Sequence, residues 1–144
     1  MRGLIQRVSE AQVRVLGKVI GDIGPGLLLM LGVEKTDSSA QVDKLVNKVL
    51  NYRVFADYKS QMNLSLLDVG GELMVISQFT LVANTKKGLR PSLSSAASPE
   101  EAEALYQLFL DRAHHFVRVQ AGLFGADMQV SLINDGPVTF MLSD

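Results

Sequence analysis

Leu27-Leu28-Leu29-Met30-Leu31-Gly32-Val33 is the segment around which the rest of the chain has to be arranged. Every residue in it except Gly32 is large and apolar, so neither face of the segment suits water. It is too short for an ordinary helix, and Gly24-Pro25-Gly26 punctuates its start. A run of this kind reads as a strand buried on both faces, placed centrally in a sheet with helices covering at least one side. Working back towards the amino terminus, Ala11, Val13 and Val15 alternate with Gln12 and Arg14, the period-2 mark of a half-buried strand. Gly3 to Ser9 is mixed but compatible with a strand. Gly17-Lys18 makes a tight connection into Val19 to Ile23.

Towards the carboxyl terminus, Val42, Leu45, Val46, Val49 and Leu50 follow the i, i+3, i+4, i+7, i+8 stripe of an amphipathic helix, with Thr36-Asp37-Ser38 offering the N-cap. A second helix opens at Ser98-Pro99-Glu100-Glu101, a capping box with Pro at the first helical position. Its stripe is Leu105, Leu108, Phe109, Arg112 and Phe116, and the pattern predicts an end near Gly122. Between the helices lie Tyr52 to Phe55, a polar hairpin and a strand from Glu72 to Leu81. A Gly/Ser/Lys-rich loop of about sixteen residues follows from Val82 to Ala97, long enough to suggest function or mobility. Met128, Val130 and Leu132 then alternate with polar residues, Asn134-Asp135-Gly136-Pro137 turns the chain, and Val138 to Leu142 is a last strand. The expectation is one domain over residues 1–144: a strand-rich α/β fold with an antiparallel or mixed, barrel-like sheet and two main helices packed on one face. The 144 residues, 47% hydrophobic and 20% charged, suit one soluble core.

Composition excludes several chemistries. There is no Cys, so disulfide frameworks, thiolate zinc sites and cysteine nucleophiles are absent. The two histidines, His114 and His115, are adjacent on a helix, 100° apart, and cannot both face one ligand. A Ser-His-Asp triad and a His-rich metal site therefore find no support. No metal and no cofactor is expected. Asp22, Asp57, Asp68, Glu72 and Asp135 sit at or near turns, where carboxylates more often cap backbone than catalyse. Gly24-Pro25-Gly26 lacks the Lys-Ser/Thr of a phosphate loop. A formal charge of -1 argues against bulk electrostatic binding of nucleic acid while leaving room for a local basic patch. The longest apolar run, Leu27 to Leu31, is far shorter than the ~20 residues of a membrane span. Arg2, Arg7 and Glu10 interrupt any leader-like start, so a cytoplasmic protein is expected.

Two segments carry more than structure. Ser77-Gln78-Phe79-Thr80-Leu81 places polar and aromatic residues at the end of the apolar run Leu73-Met74-Val75-Ile76, just before the long loop. That suits either a site edge in an α/β sheet or an ordinary strand terminus. Gly136-Pro137 reads either as a hairpin turn or as a cis bond holding two carbonyl oxygens side by side, a way to grip an ammonium group.

At these two segments the sequence resembles the D-aminoacyl-tRNA deacylase family. The similarity rests on Ser77-Gln78-Phe79-Thr80-Leu81 and Asn134-Asp135-Gly136-Pro137-Val138-Thr139. Gln6-Arg7-Val8, Gly24-Pro25-Gly26-Leu27-Leu28 and Gly88-Leu89-Arg90-Pro91-Ser92 support it, in order along essentially the whole chain. The resemblance implies a homodimer, with active sites at the subunit interface, that hydrolyses the ester joining a D-amino acid to the 3′-terminal adenosine of tRNA. It implies that Ser77, Gln78, Phe79 and Thr80 line the pocket of one subunit, while a cis Gly136-Pro137 bond from the other presents its carbonyl oxygens to the substrate's α-ammonium. An L-side chain then meets the Gly-Pro wall and is rejected. Achiral glycine escapes that test, so glycyl-tRNA, including glycine mischarged on tRNA-Ala, enters the substrate range.

An aminoacyl ester is already activated, and backbone N–H groups near Phe79 and Thr80 suffice as an oxyanion hole at ~3 kcal/mol per donor. The resemblance implies substrate-assisted chemistry through the ribose 2′-hydroxyl. Thr80 is read as a hydrogen-bonding positioner or as a nucleophile lacking an evident base, Gln78 as orienting ribose or adenine, and Phe79 as packing against adenine. Arg7 is read as orienting the Gly-Pro segment or the pocket wall, or else as a surface strand residue, and Asn134 as a supporting residue. Lys86, Lys87 and Arg90 form the most basic local cluster and are candidates to hold the phosphates of the acceptor stem. Two alternatives use the same residues: a non-catalytic dimeric module that binds the tRNA 3′ end, and a Thr80-dependent hydrolase of small esters.

Overall fold

The computed structural model describes residues 1–144. Strand β3 (Gly26–Gly32) lies between β1 (Arg2–Val15) and β6 (Glu72–Ser77), antiparallel to the first and parallel to the second, as its two-faced apolarity requires. Beyond these, β2 (Lys18–Ile23) pairs with β1 through a two-residue turn at Leu16-Gly17, and β7 (Val119–Ala121) lies parallel to β6. The long β8 (Gln129–Ser143) runs antiparallel along nearly the whole of β1, which curls the mixed sheet into a barrel-like shape. A short hairpin, β4 (Phe55–Ala56) with β5 (Met62–Leu64), and the one-turn α2 (Leu66–Val69) complete the connection between α1 (Ser39–Asn51) and β6.

The alternation of side chains sorts the core into two layers. Leu27, Leu29, Leu31, Leu73 and Val75 face α1 and α3 (Pro99–His114) in the larger cluster. Leu28, Met74 and Ile76 face Val8, Ala11, Val13 and Ile23 on the other side. The β1 pattern changes parity between Val8 and Ala11, where its register against β8 slips, so one strand serves both layers. Helix α1 buries the five residues of its expected stripe and begins at Ser38 with a capping box to Gln41. Burial of five such side chains is worth on the order of 10 kcal/mol before ordering costs.

Three expectations change. The strand from Glu72 stops at Ser77, not Leu81, because its partner β3 ends: Leu31 pairs Ser77, and after Gln78 the chain winds into a 3₁₀ turn over Phe79–Val82. Helix α3 ends at His114, not near Gly122. Its buried stripe is Ala102, Tyr106, Phe109 and Ala113, and Phe116 lies beyond it, 63% exposed, because the following residues turn to build β7. Asn134 to Pro137 is not a hairpin turn. Val8 pairs Asn134 and Gln6 pairs Thr139, so residues 135–138 bulge out of one continuous β8 opposite Arg7.

Candidate active site

The end of β6 and the 3₁₀ turn form one rim of a cavity of about 460 Å³. Ser77, Gln78 and Phe79 line it together with Leu31, Ile76, Ala102, Phe124, Met128 and Val130. Ser77 and Gln78 are half-buried, whereas Phe79 is 57% exposed and Thr80 is exposed. Phe79 and Thr80 open a 3₁₀ turn, so their N–H groups have no acceptor inside it. The turn's closing bonds run from Leu81 N to the Gln78 carbonyl (3.1 Å) and from Ala83 N to the Thr80 carbonyl (3.1 Å), and the Gln78 side chain caps neither amide. Instead the Gln78 carboxamide donates to Thr80 Oγ1, tying the hydroxyl to the turn. No His is near: His114 and His115 lie at the other end of α3, exposed. Backbone donors beside an apolar cavity are suited to polarising a carbonyl rather than to proton abstraction.

The Val82–Ala97 segment is ordered at its base. Asn84 and Ser92 exchange two backbone bonds (2.8 and 3.0 Å), Ser95 Oγ donates to the Val82 carbonyl, and Ala97 N reaches the Val33 carbonyl (3.0 Å). Lys86, Lys87 and Arg90 project from its exposed tip.

The second motif lies elsewhere. Gly136 and Pro137 are exposed in the β8 bulge and joined by a cis peptide bond. Arg7 Nε donates to the Asp135 carbonyl (2.7 Å) and its Nη1 to the Val54 carbonyl (2.7 Å), strapping the bulge to the body of the fold. Asn134 closes the base: its Oδ1 accepts from Val138 N (2.7 Å) and its Nδ2 donates to Thr139 Oγ1 (2.9 Å). Gly136 has φ +147°, and a Cβ there would stand 2.7 Å from Val138 Cγ2 and 3.1 Å from Arg7 Nη2. Only glycine fits.

Within one chain the motifs do not meet. Arg7 pairs Leu27 at the start of β3 and Ser77 pairs Leu31 near its end, a separation of about 13 Å along the strand. From β8 across β1 and β3 to β6 adds three strand spacings, about 14 Å. Sequence reasoning missed the far wall of the cavity, Phe124, Met128 and Val130, and the partner of Arg7 at Val54. None of these carries a local signal, since sheet order alone brings them there.

The chain is thus a small α/β domain in which Ser77, Gln78 and Phe79 line an apolar cavity, with no charged side-chain pair beside them, and the adjoining turn leaves the Phe79 and Thr80 amides without acceptors. A family model described as D-Tyr-tRNA(Tyr) deacylase matches residues 4–143. A protein named D-aminoacyl-tRNA deacylase from Pseudoalteromonas translucida (strain TAC 125) is 58% identical over 144 residues, 99% of each chain. One of the same name from Histophilus somni (strain 2336) is 58% identical over 143 residues, again 99% of each. Among solved structures, "c-Myc DNA Unwinding Element Binding Protein" superposes with a TM-score of 0.95 at 37% identity, covering 100% of this chain and 99% of that one. The chain belongs to the D-Tyr-tRNA(Tyr) deacylase family.

Proposed function

We propose that the protein hydrolyses the ester of D-aminoacyl-tRNA, releasing the D-amino acid and tRNA. The observation that carries this reading is the 3₁₀ turn at the cavity rim, whose Phe79 and Thr80 amides point to no acceptor of their own. As the carbonyl becomes tetrahedral, negative charge grows on its oxygen, and two such donors stabilise it by ~3 kcal/mol each. Water attacks, positioned by the 2′-hydroxyl of the terminal ribose. The apolar cavity takes the 3′-terminal adenosine, with Phe79 against the base and Gln78 orienting ribose or adenine. Thr80 holds its place through Gln78 and acts as positioner, for no base stands beside its hydroxyl.

Selection of hand falls to Gly136 and Pro137 of a second subunit, whose carbonyl oxygens take the α-ammonium while their backbone excludes an L-side chain. The distance between the motifs within one chain supports a site completed by a homodimer. Glycyl-tRNA passes the same gate. Lys86, Lys87 and Arg90 contact the acceptor-stem phosphates.

Parallel hydrolysis of D-tyrosyl- and L-tyrosyl-tRNA, with Thr80→Ala alongside, tests the proposal. The D-ester is lost quickly, the L-ester is spared, and Thr80→Ala is slower without being dead. A Thr80→Ala enzyme with no residual rate, where the wild type also cleaves esters without adenosine, would mark a Thr-dependent esterase. A second reading, nucleic-acid binding without turnover, is favoured by the name of the 37% identical solved relative; it predicts binding of uncharged tRNA and stable esters of both hands.

A further inference from the structure

We infer that Gly32, the last residue of β3, is a positioning residue for the turn that carries Phe79 and Thr80: its missing side chain is the space in which that turn is seated. The inference rests on the reading of the turn as the oxyanion-binding element. A Cβ on Gly32 would stand 2.8 Å from Val82 Cγ1, 3.1 Å from the Gln78 carbonyl oxygen and 3.2 Å from Leu81 Cβ. All three atoms belong to residues 78–82, so the turn lies directly across bare β3 backbone.

None of these atoms gives way alone. Val82 is buried and β-branched, with little rotamer freedom. The Gln78 carbonyl is held by Leu81 N at 3.1 Å, and Gln78 N is held by the Leu31 carbonyl at 2.8 Å. Gly32 is not among the glycines with positive φ, so an added methyl probes space and not backbone strain. The turn moves off β3 as a unit by a few tenths of an ångström. That displacement is small for stability and large for donors that must meet an oxyanion at ~2.7–3.1 Å.

The test compares Gly32→Ala with Gly3→Ala. A Cβ on Gly3 meets Leu29 Cδ1 at 2.7 Å and the Leu45 side chain at 3.6 Å, a clash with a leucine methyl in the core beneath α1 and not with the turn. Gly32→Ala lowers kcat on D-tyrosyl-tRNA by about tenfold or more with KM within about threefold, since misplacement acts on the transition state. Gly3→Ala keeps kcat. The double variant Gly32→Ala/Val82→Ala, which removes the 2.8 Å clash with Val82 Cγ1, recovers part of the rate. The Phe79 and Thr80 amide resonances shift in Gly32→Ala, stay put in Gly3→Ala and move back in the double variant. Unchanged kcat with unmoved amides in Gly32→Ala, or equal loss in Gly3→Ala, overturns the inference. A wild-type protein that hydrolyses no D-ester, with the amides still shifting as described, refutes the proposed activity and leaves the positioning role supported.

Discussion

Replacing Gly136 by Ala tests the proposed chiral gate at its tightest point. The residue sits at φ +147°, a region costing an L-residue ~1–3 kcal/mol. The new methyl would meet Val138 Cγ2 at 2.7 Å, Val138 N at 3.0 Å and Arg7 Nη2 at 3.1 Å. Val138 N is held by Asn134 Oδ1 at 2.7 Å, and Arg7 by two carbonyls at 2.7 Å each, so relief breaks at least one hydrogen bond at about 1 kcal/mol or more. A bulge that kept its shape would therefore carry about 2–4 kcal/mol of strain. At ~2.1 cal/mol/K per residue, 144 residues give a melting entropy of about 0.3 kcal/mol/K, so the ceiling on the Tm loss is roughly 7–13 °C.

The ladder is intact on both sides of the bulge, at Val8–Asn134 and Gln6–Thr139, so local rearrangement is the easier path. The expected outcome is a Tm loss well below the ceiling together with at least a tenfold loss of D-tyrosyl-tRNA hydrolysis, measured beside L-tyrosyl-tRNA. A Gly136→Ala protein with full D-activity and full rejection of the L-ester would refute the gate.

Two further outcomes are expected. Changing Lys86, Lys87 and Arg90 together to Gln weakens tRNA binding without altering the rate of the bound ester. It also flattens the salt dependence of log K by ~0.7–0.9 for each phosphate that is no longer neutralised, read by binding titrations at several salt concentrations. Tyr106 is fully buried beneath Phe124, its hydroxyl donating to the Val75 carbonyl at 3.0 Å, and burial pushes its phenol up to about 12. It therefore stays largely protonated as pH rises past 10, so the 295 nm absorbance of the folded protein there falls short of its three tyrosines. The unfolded phenol loses its proton near 10, so this group's contribution is complete below that pH and is lost as pH rises towards 12. Tyr106→Phe removes that slope from alkaline unfolding curves, and an unchanged slope would show that another group carries it.

The parts of the fold that could be read ahead of the structure are those whose signal is local. The two-faced run Leu27–Val33 announced a central strand, the period of Val42 to Leu50 a one-sided helix, and Ser98-Pro99-Glu100-Glu101 the start of another, because face and cap are written within a few residues. Ser77 to Thr80 and Gly136-Pro137 stood out too, as polar or turn-forming residues at places where regular structure breaks. Their form did not. Glu72 to Leu81 has the composition of a strand, and only the end of β3 turns Phe79–Val82 out of the sheet and frees two amides. Asn134 to Pro137 has the composition of a hairpin turn, yet β1 is long enough to pair β8 on both sides, and a bulge results. Arg7 reaches a carbonyl 128 residues away, and Phe124 and Met128 complete a cavity begun by Ser77. Contacts at such separations depend on strand order and register, which are set by how the whole chain buries its apolar faces at once and not by any window of residues.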